Sequence, residues 1–267
     1  MNRQQRRAQT VQEKKAGNGA ASPAPYVCVG IPSQDKWFAK FGMCLLQMFL
    51  DGLTQEVPGI GKLAGIRIHN IQGSTIWRQR QQLIELAIKD GSTHILFIDC
   101  DQTFPPSTLR RLLYHQKPVV ACNVATKQIP SIPTARKLIG NGEPMPVFTT
   151  ENSKGLEKVW RIGTGIMLVD LSIIPTLEEP WFQVSSSNDS DHYGEDWWFC
   201  QQIEKAGFDI FIDHELSWEV GHIGMLTYGH EHISQDVIAE VESIILDGTA
   251  DDKASLLKTL SKRLEAQ

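Results

Sequence analysis

Apolar residues follow two rhythms along the chain. Short unbroken runs, YVCVGI from Tyr26, HILFI from His94, PVVACNV from Pro118, GIMLV from Gly165 and FDIFI from Phe208, have the length and composition of strands covered on both faces. AGIRIHNI, ending at Ile71, alternates like a further strand. Between these runs, WFAKFGMCLLQMFLDG and STIWRQRQQLIELAIKDG place apolar residues at helical spacing. Gly52 is predicted to close the first helix, Ser74 or Thr75 to cap the second, and Gly91 to stop it. PPSTLRRLLYH predicts another helix, with its prolines in the first turn. Strand, helix, strand, helix, strand is the order of an α/β protein with a mostly parallel sheet and helices on its faces.

The second half is less regular. The stretch from Thr126 to Gly165 mixes Pro, Gly and short β-like pieces, which suits hairpins or a substrate-facing excursion. IGTGIMLVDLSII then restores a buried strand, GEDWWFCQQIEKAG reads as a helix closed by Gly207, and WEVGHIG reads as a short strand ending at His222. HISQDVIAEVESIIL and DDKASLLKTLSKRLEAQ predict two amphipathic helices, suited to packing or oligomer contact. The expected organisation is a basic tail over 1–25, a catalytic-size domain over 26–230 and C-terminal helices over 231–267, with no internal repeat.

Composition narrows the class. At 267 residues, 41% hydrophobic and 21% charged, the chain has the make-up of a soluble protein able to bury a sizeable core. No apolar run reaches membrane-spanning length, and the N-terminus lacks the apolar core of a secretory signal, so a cytoplasmic location is expected. The five cysteines have no CxxC spacing and read as small core residues in a reducing compartment. Residues 1–25 hold five Lys/Arg and one Glu, so this tail carries +4 and the rest of the −5 chain carries −9. The acidic body argues against broad nucleic-acid binding, while the tail keeps the means to touch phosphates.

Four motifs carry candidate chemistry. In HILFIDCDQTF, Asp99 and Asp101 stand two apart at a strand end, so their carboxylates face one spot and need a positive partner. A hard divalent cation, Mg²⁺ or Mn²⁺, is such a partner; the alternative is one aspartate capping a turn and the other solvated. His222 in GHIG is a frequent type of ligand for such ions, or a structural histidine. Glu195 and Asp196 open a helix, where the dipole alone favours acids, yet either suits a general base. Gly163 and Gly165 flank Thr164, forming either a simple turn or exposed amides for a sugar or phosphate. GIGKLAG has no helix to open and no GxxxxGK[ST] occurs, which removes the dinucleotide and P-loop fingerprints.

In order and spacing, these motifs over about residues 26 to 224 resemble GT-A glycosyltransferases, Rossmann-like enzymes, and among them the small family-two-like forms carried by bacteriophages. The resemblance implies a metal-dependent transferase that moves a sugar from a nucleotide-sugar, with UDP-sugars favoured, to a hydroxyl acceptor with inversion. It implies Asp101 and His222 as metal ligands, Asp99 on the donor ribose or a metal-bound water, and Asp196 as base with Glu195 orienting the acceptor. Arg80, Pro32, Ser33, Gly163 and Gly165 would contact the donor, although Arg80-Gln81 stands where relatives often have Arg-Asn. Trp197 and Trp198 offer stacking faces or pack into the core. The acceptor is open between a glycan, a protein and a hydroxymethylated pyrimidine in phage DNA, which would place the protein in the host cytoplasm. A noncatalytic nucleotide-sugar or glycan-binding module remains the alternative from another class, and a nucleotidyltransferase or phosphoesterase a third.

Overall fold

Alternation within the strands sets the architecture. In β1 (Tyr26–Ser33), Val27, Val29 and Ile31 point to one face and Cys28 to the other; all four are fully buried. In this computed structural model, which describes residues 23–140, 142–184, 194–224, 227–230 and short stretches between 233 and 255, that two-sided burial recurs across the sheet. After β1 come α1 (Ala39–Thr54), β2 (Gly65–Gln72), α2 (Ile76–Lys89), β3 (His94–Ile98), β4 (Gln102–Thr103), α3 (Thr108–Tyr114) and β5 (Val119–Ala121). A hairpin of β6 (Arg136–Leu138) and β7 (Pro144–Pro146) follows, then β8 (Leu156–Val159), β9 (Ile166–Asp170) and a 3-10 helix (Leu171–Thr176). The chain continues through α4 (Glu195–Lys205), β10 (Ile210–Asp213), α5 (His214–Glu219), β11 (Gly221–Ile223) and β12 (Thr227–Tyr228).

Seven strands form one sheet in the order β2-β1-β3-β9-β5-β10-β8. β1 pairs in parallel with β2 and β3, and β5 with β10, while β9 lies antiparallel between β3 and β5, and β8 antiparallel on β10. Five strands therefore share a direction, as an α/β reading requires. Helices cover both faces. Leu83, Ile84 and Ala87 of α2 and Phe199 and Ile203 of α4 pack with Cys28, Ile95 and Phe97. Phe41, Leu45 and Met48 of α1, Leu109 and Leu112 of α3 and Leu216 of α5 pack with Val27, Val29, Leu96 and Ile98 on the other face. Each of the Leu, Ile, Val, Met and Phe side chains among them contributes roughly 2 kcal/mol on leaving water.

Four features depart from the expected pattern or add to it. β9 runs against its neighbours, because a run buried on both faces reads alike in either direction. Gly52 does not close α1 but lies buried inside it, where an added Cβ would come within 2.6 Å of the Ile66 Cδ1 on β2. The segment before GHIG holds α5, a helix of one and a half turns too short for its periodicity to register. The prolines at 105 and 106 precede α3 rather than entering it. Gly91, by contrast, takes the expected positive φ of 73° after α2, and Gly207 one of 87° after α4.

Cys28, Cys122 and Cys200 are buried and all five thiols are free. Burial pushes the Cys28 and Cys200 thiols up to about 12, which makes them inert packing groups. Among the described residues no helix is long and apolar enough to cross a membrane. Residues 1–22 of the tail expected over 1–25, and most of the C-terminal helices with the oligomer contact assigned to them, lie outside the described residues.

Candidate active site

Backbone and amide side chains lock the carboxyl ends of β1 and β2 together. Asn70 donates to the Ile31 carbonyl at 2.9 Å and to the Ser33 hydroxyl at 2.8 Å. From α2, Gln79 donates to the carbonyls of Ser33 at 2.6 Å and Gly73 at 3.1 Å. A cleft of about 460 Å³ opens above these ends, with Pro32 and Ser33 on one wall, Ile76 and Gln79 on another, and Asp99, Cys100 and Asp101 at the base. Its place beyond the carboxyl ends of parallel strands is where open α/β sheets take their ligands.

Arg80 is the hub beneath it. The residue sits on the buried face of α2 and is 1% exposed. Its Nη1 donates to Glu195 Oε1 at 2.6 Å and Asp196 Oδ1 at 2.5 Å, and its Nη2 to the two oxygens of Asp99 at 3.0 and 3.2 Å. The reversed course of β9 supplies the rest, because its amino end arrives at the same edge as the carboxyl end of β3. There the Asp99 N–H donates to the Gly165 carbonyl at 2.9 Å, and the Thr164 hydroxyl donates to Asp196 Oδ1 at 2.6 Å. A Cβ at Gly165 would crowd Gln102 Nε2 at 3.2 Å, whereas one at Gly163 would make only ordinary contact, 3.5 Å from Asp196 Oδ2.

Asp101 belongs to a second cluster. β4 pairs with β11 so that His222 lies opposite Gln102, and the Ile223 N–H donates to the Asp101 carbonyl at 2.6 Å. His222 Nδ1 is 3.0 Å from the Ala125 carbonyl, an acceptor only, so Nδ1 carries the proton. Nε2 then faces Asp101 Oδ1 at 3.4 Å, and that buried oxygen has no hydrogen-bond partner. Lys127 pairs with the other oxygen, Oδ2.

The two aspartates are thus held by different cations and have opposite acidities. Burial raises the Asp99 carboxyl, reinforced by the charges of Asp196 and Asp101 against the pull of Arg80. Burial would raise Asp101 too, but the nearby His222 ring and the pairing with Lys127 overcome it and hold the carboxyl down to about 2. Glu195 is raised by burial and by the neighbouring Asp196 charge. For Arg80 burial works against the charge, yet the three carboxylates prevail and raise it further.

Placement differs from expectation at several residues. Asp99 does not converge with Asp101 and His222, since Arg80 takes both its oxygens; among the described residues no three His, Cys, Asp or Glu side chains are grouped to hold a metal ion. Asp101 and His222 alone form a pair with an orphaned oxygen between them, which suits a hard cation that completes its shell with water and phosphate. Arg80 lies under the floor instead of on it. Trp197 stacks edgewise on Trp160 at 5.7 Å and Trp198 donates to the Pro180 carbonyl at 2.9 Å, so neither lines the cleft. Lys127, Asn70 and Gln79 escaped the sequence reading, because each acts through a partner at least 26 residues away or through backbone, with no local pattern to mark it.

No family model and no curated protein matches the chain. Solved structures to which it is similar include the A197 protein from STIV, at 13% identity over 75% of this chain and 86% of that one with a TM-score of 0.42. Another is the nucleoside-diphosphate-sugar pyrophosphorylase from Vibrio cholerae RC9, at 10% identity over 87% and 99% of the two chains with a TM-score of 0.44.

Proposed function

We propose that the protein is a glycosyltransferase that moves a sugar from a nucleotide-sugar, a UDP-sugar first among candidates, to a hydroxyl acceptor by single displacement. The observation that carries this reading is the Arg80 cage, which ties Asp99 in the cleft lining to Glu195 and Asp196 at the α4 amino end while leaving Asp196 Oδ2 without a bond to Arg80. With Oδ1 held by Arg80 and Thr164, Oδ2 is the oxygen positioned to accept a proton. The acceptor hydroxyl forms the new bond to the anomeric carbon, its proton passes to Asp196 Oδ2, and the bond to the diphosphate breaks. Pro32, Ser33 and the amides near Gly73 would seat the nucleoside, and the backbone at Gly163 and Gly165 the sugar. Asp101 and His222 would hold Mn²⁺ or Mg²⁺, which when bound supplies charge neutralisation for the departing nucleoside diphosphate. Asp99 and Glu195 position the cage, Glu195 on the acceptor side.

The test is product analysis with a panel of UDP-, GDP-, CMP- and dTDP-sugars, offered with glycans, peptides and hydroxymethylcytosine DNA. Asp196→Asn is expected to lower transfer by at least 100-fold while donor affinity stays within threefold. Free nucleoside diphosphate marks glycosyl transfer; pyrophosphate would instead make the protein a nucleotidyltransferase, and binding without turnover a noncatalytic module.

A further inference from the structure

A diphosphate entering this cleft meets an acidic floor. Both terminal nitrogens of Arg80 are taken by Asp99, Glu195 and Asp196 and its guanidinium is covered, so that group of three carboxylates and one cation keeps two uncompensated negative charges. Asp101 adds a third, at the base of the same cleft. Two lysines bear on this floor: Lys36 lines the cleft itself, and Lys127, whose side chain is 38% exposed, reaches it through Asp101, its ammonium meeting Oδ2. That leaves Oδ1, on the His222 side, for another ligand.

The position of Lys127 is built. It leaves a turn closed by the Thr126 N–H on the Ile132 carbonyl at 2.9 Å, by Ser131 Oγ on the Thr126 carbonyl at 2.6 Å and by the Ile132 N–H on Thr126 Oγ1 at 3.1 Å. Two residues before it, the Ala125 carbonyl orients His222. Lys127 and His222 therefore share one frame, with Asp101 between their polar ends.

We propose that Lys127 is a diphosphate-binding residue: its ammonium, held on Asp101 Oδ2 in the free protein, binds the non-bridging oxygens of a nucleoside diphosphate at the cleft base, with or without a metal ion on Asp101 Oδ1. The inference rests on the nucleotide-sugar reading of the cleft and adds a second cation to it. A lysine suits this task because its compact ammonium on a flexible stem can turn from carboxylate to phosphate without losing its charge.

Calorimetry in EDTA tests it, with UDP, GDP and dTDP as probes and the matching nucleosides as controls. Wild-type protein is expected to bind one diphosphate without metal. Lys127→Met should weaken that diphosphate at least tenfold, leave the matching nucleoside within twofold, and flatten the dependence of affinity on salt. Lys127→Arg should keep most of the affinity, which separates lost charge from a disturbed turn. Equal diphosphate affinity in wild type and Lys127→Met would overturn the assignment of Lys127 while leaving the cleft a nucleotide site. Failure of the wild type to bind any of the three, with or without Mn²⁺, would overturn the cleft reading and this inference together. If Lys127→Met does not fold, as judged by its thermal melt, Lys127→Gln takes its place with the same expectations.

Discussion

One guanidinium decides how three carboxylates can share a small buried volume. Without Arg80, Asp99, Glu195 and Asp196 would each face the others across a low-dielectric gap, and the penalty for such uncompensated charge exceeds the worth of the pairs themselves. Arg80→Met is therefore predicted to destabilise the protein by about 4 kcal/mol, seen as a fall of roughly 10 °C in the thermal midpoint at this chain length. A fall of only a degree or two would mean that the three acids relax into solvent, and that the cage is not what holds them. Arg80→Lys should recover only part of the loss, because one ammonium cannot serve two separate directions as the forked guanidinium does.

At the scale of elements, the site is made where chain ends meet, and one of those ends is capped by charge. Asp213 closes β10 and caps α5, accepting the Leu216 N–H at 2.8 Å while meeting His115 Nε2 at 2.8 Å. Burial opposes its charge, but the hydrogen bonds from His115 and Leu216 outweigh burial and hold the carboxyl below its ordinary value of 3.8. A depressed carboxyl contributes stability that is present above the ordinary value and is lost as pH falls through the folded one. Asp213→Asn, which keeps a cap acceptor, should cost about 1 kcal/mol at neutral pH, and denaturant melts should show that deficit closing on acidification below pH 3.8. A deficit independent of pH would assign the effect to packing. The elements themselves were largely legible: β1, β3, α2 and α4 announce themselves by runs or by helical spacing, and Asp99 and Asp101 by their place after a buried run. The direction of β9 was not, since alternation fixes faces and leaves polarity to tertiary pairing. Nor was Lys127, whose meaning arises only when a turn after β5 folds back onto the end of β3. The DxD spacing suggested two acids sharing one cation, whereas Arg80 and Lys127 divide them.

Over the whole molecule, helices on both faces of one seven-stranded sheet leave a single edge at which β1, β2, β3, α4 and the amino end of β9 come together. Arg80 is bonded to Asp99, 19 residues away, and to Glu195 and Asp196, 115 and 116 residues away. Those bonds cross from the first layer of helices, through the sheet edge, to the last helix of the same face. The cage therefore works as an assembly checkpoint: no fragment of the chain ending before α4 can complete it, and local fraying at either end dismantles it. Loss of ligand binding and loss of fold should consequently trace one curve on heating, with binding and near-ultraviolet circular dichroism midpoints agreeing within about 2 °C. A binding midpoint well below the fold's would show a site that melts alone. In a chain built this way, the cage is inherited from completed folding, and a nascent polypeptide could not close it until α4, Glu195–Lys205, had left the ribosome.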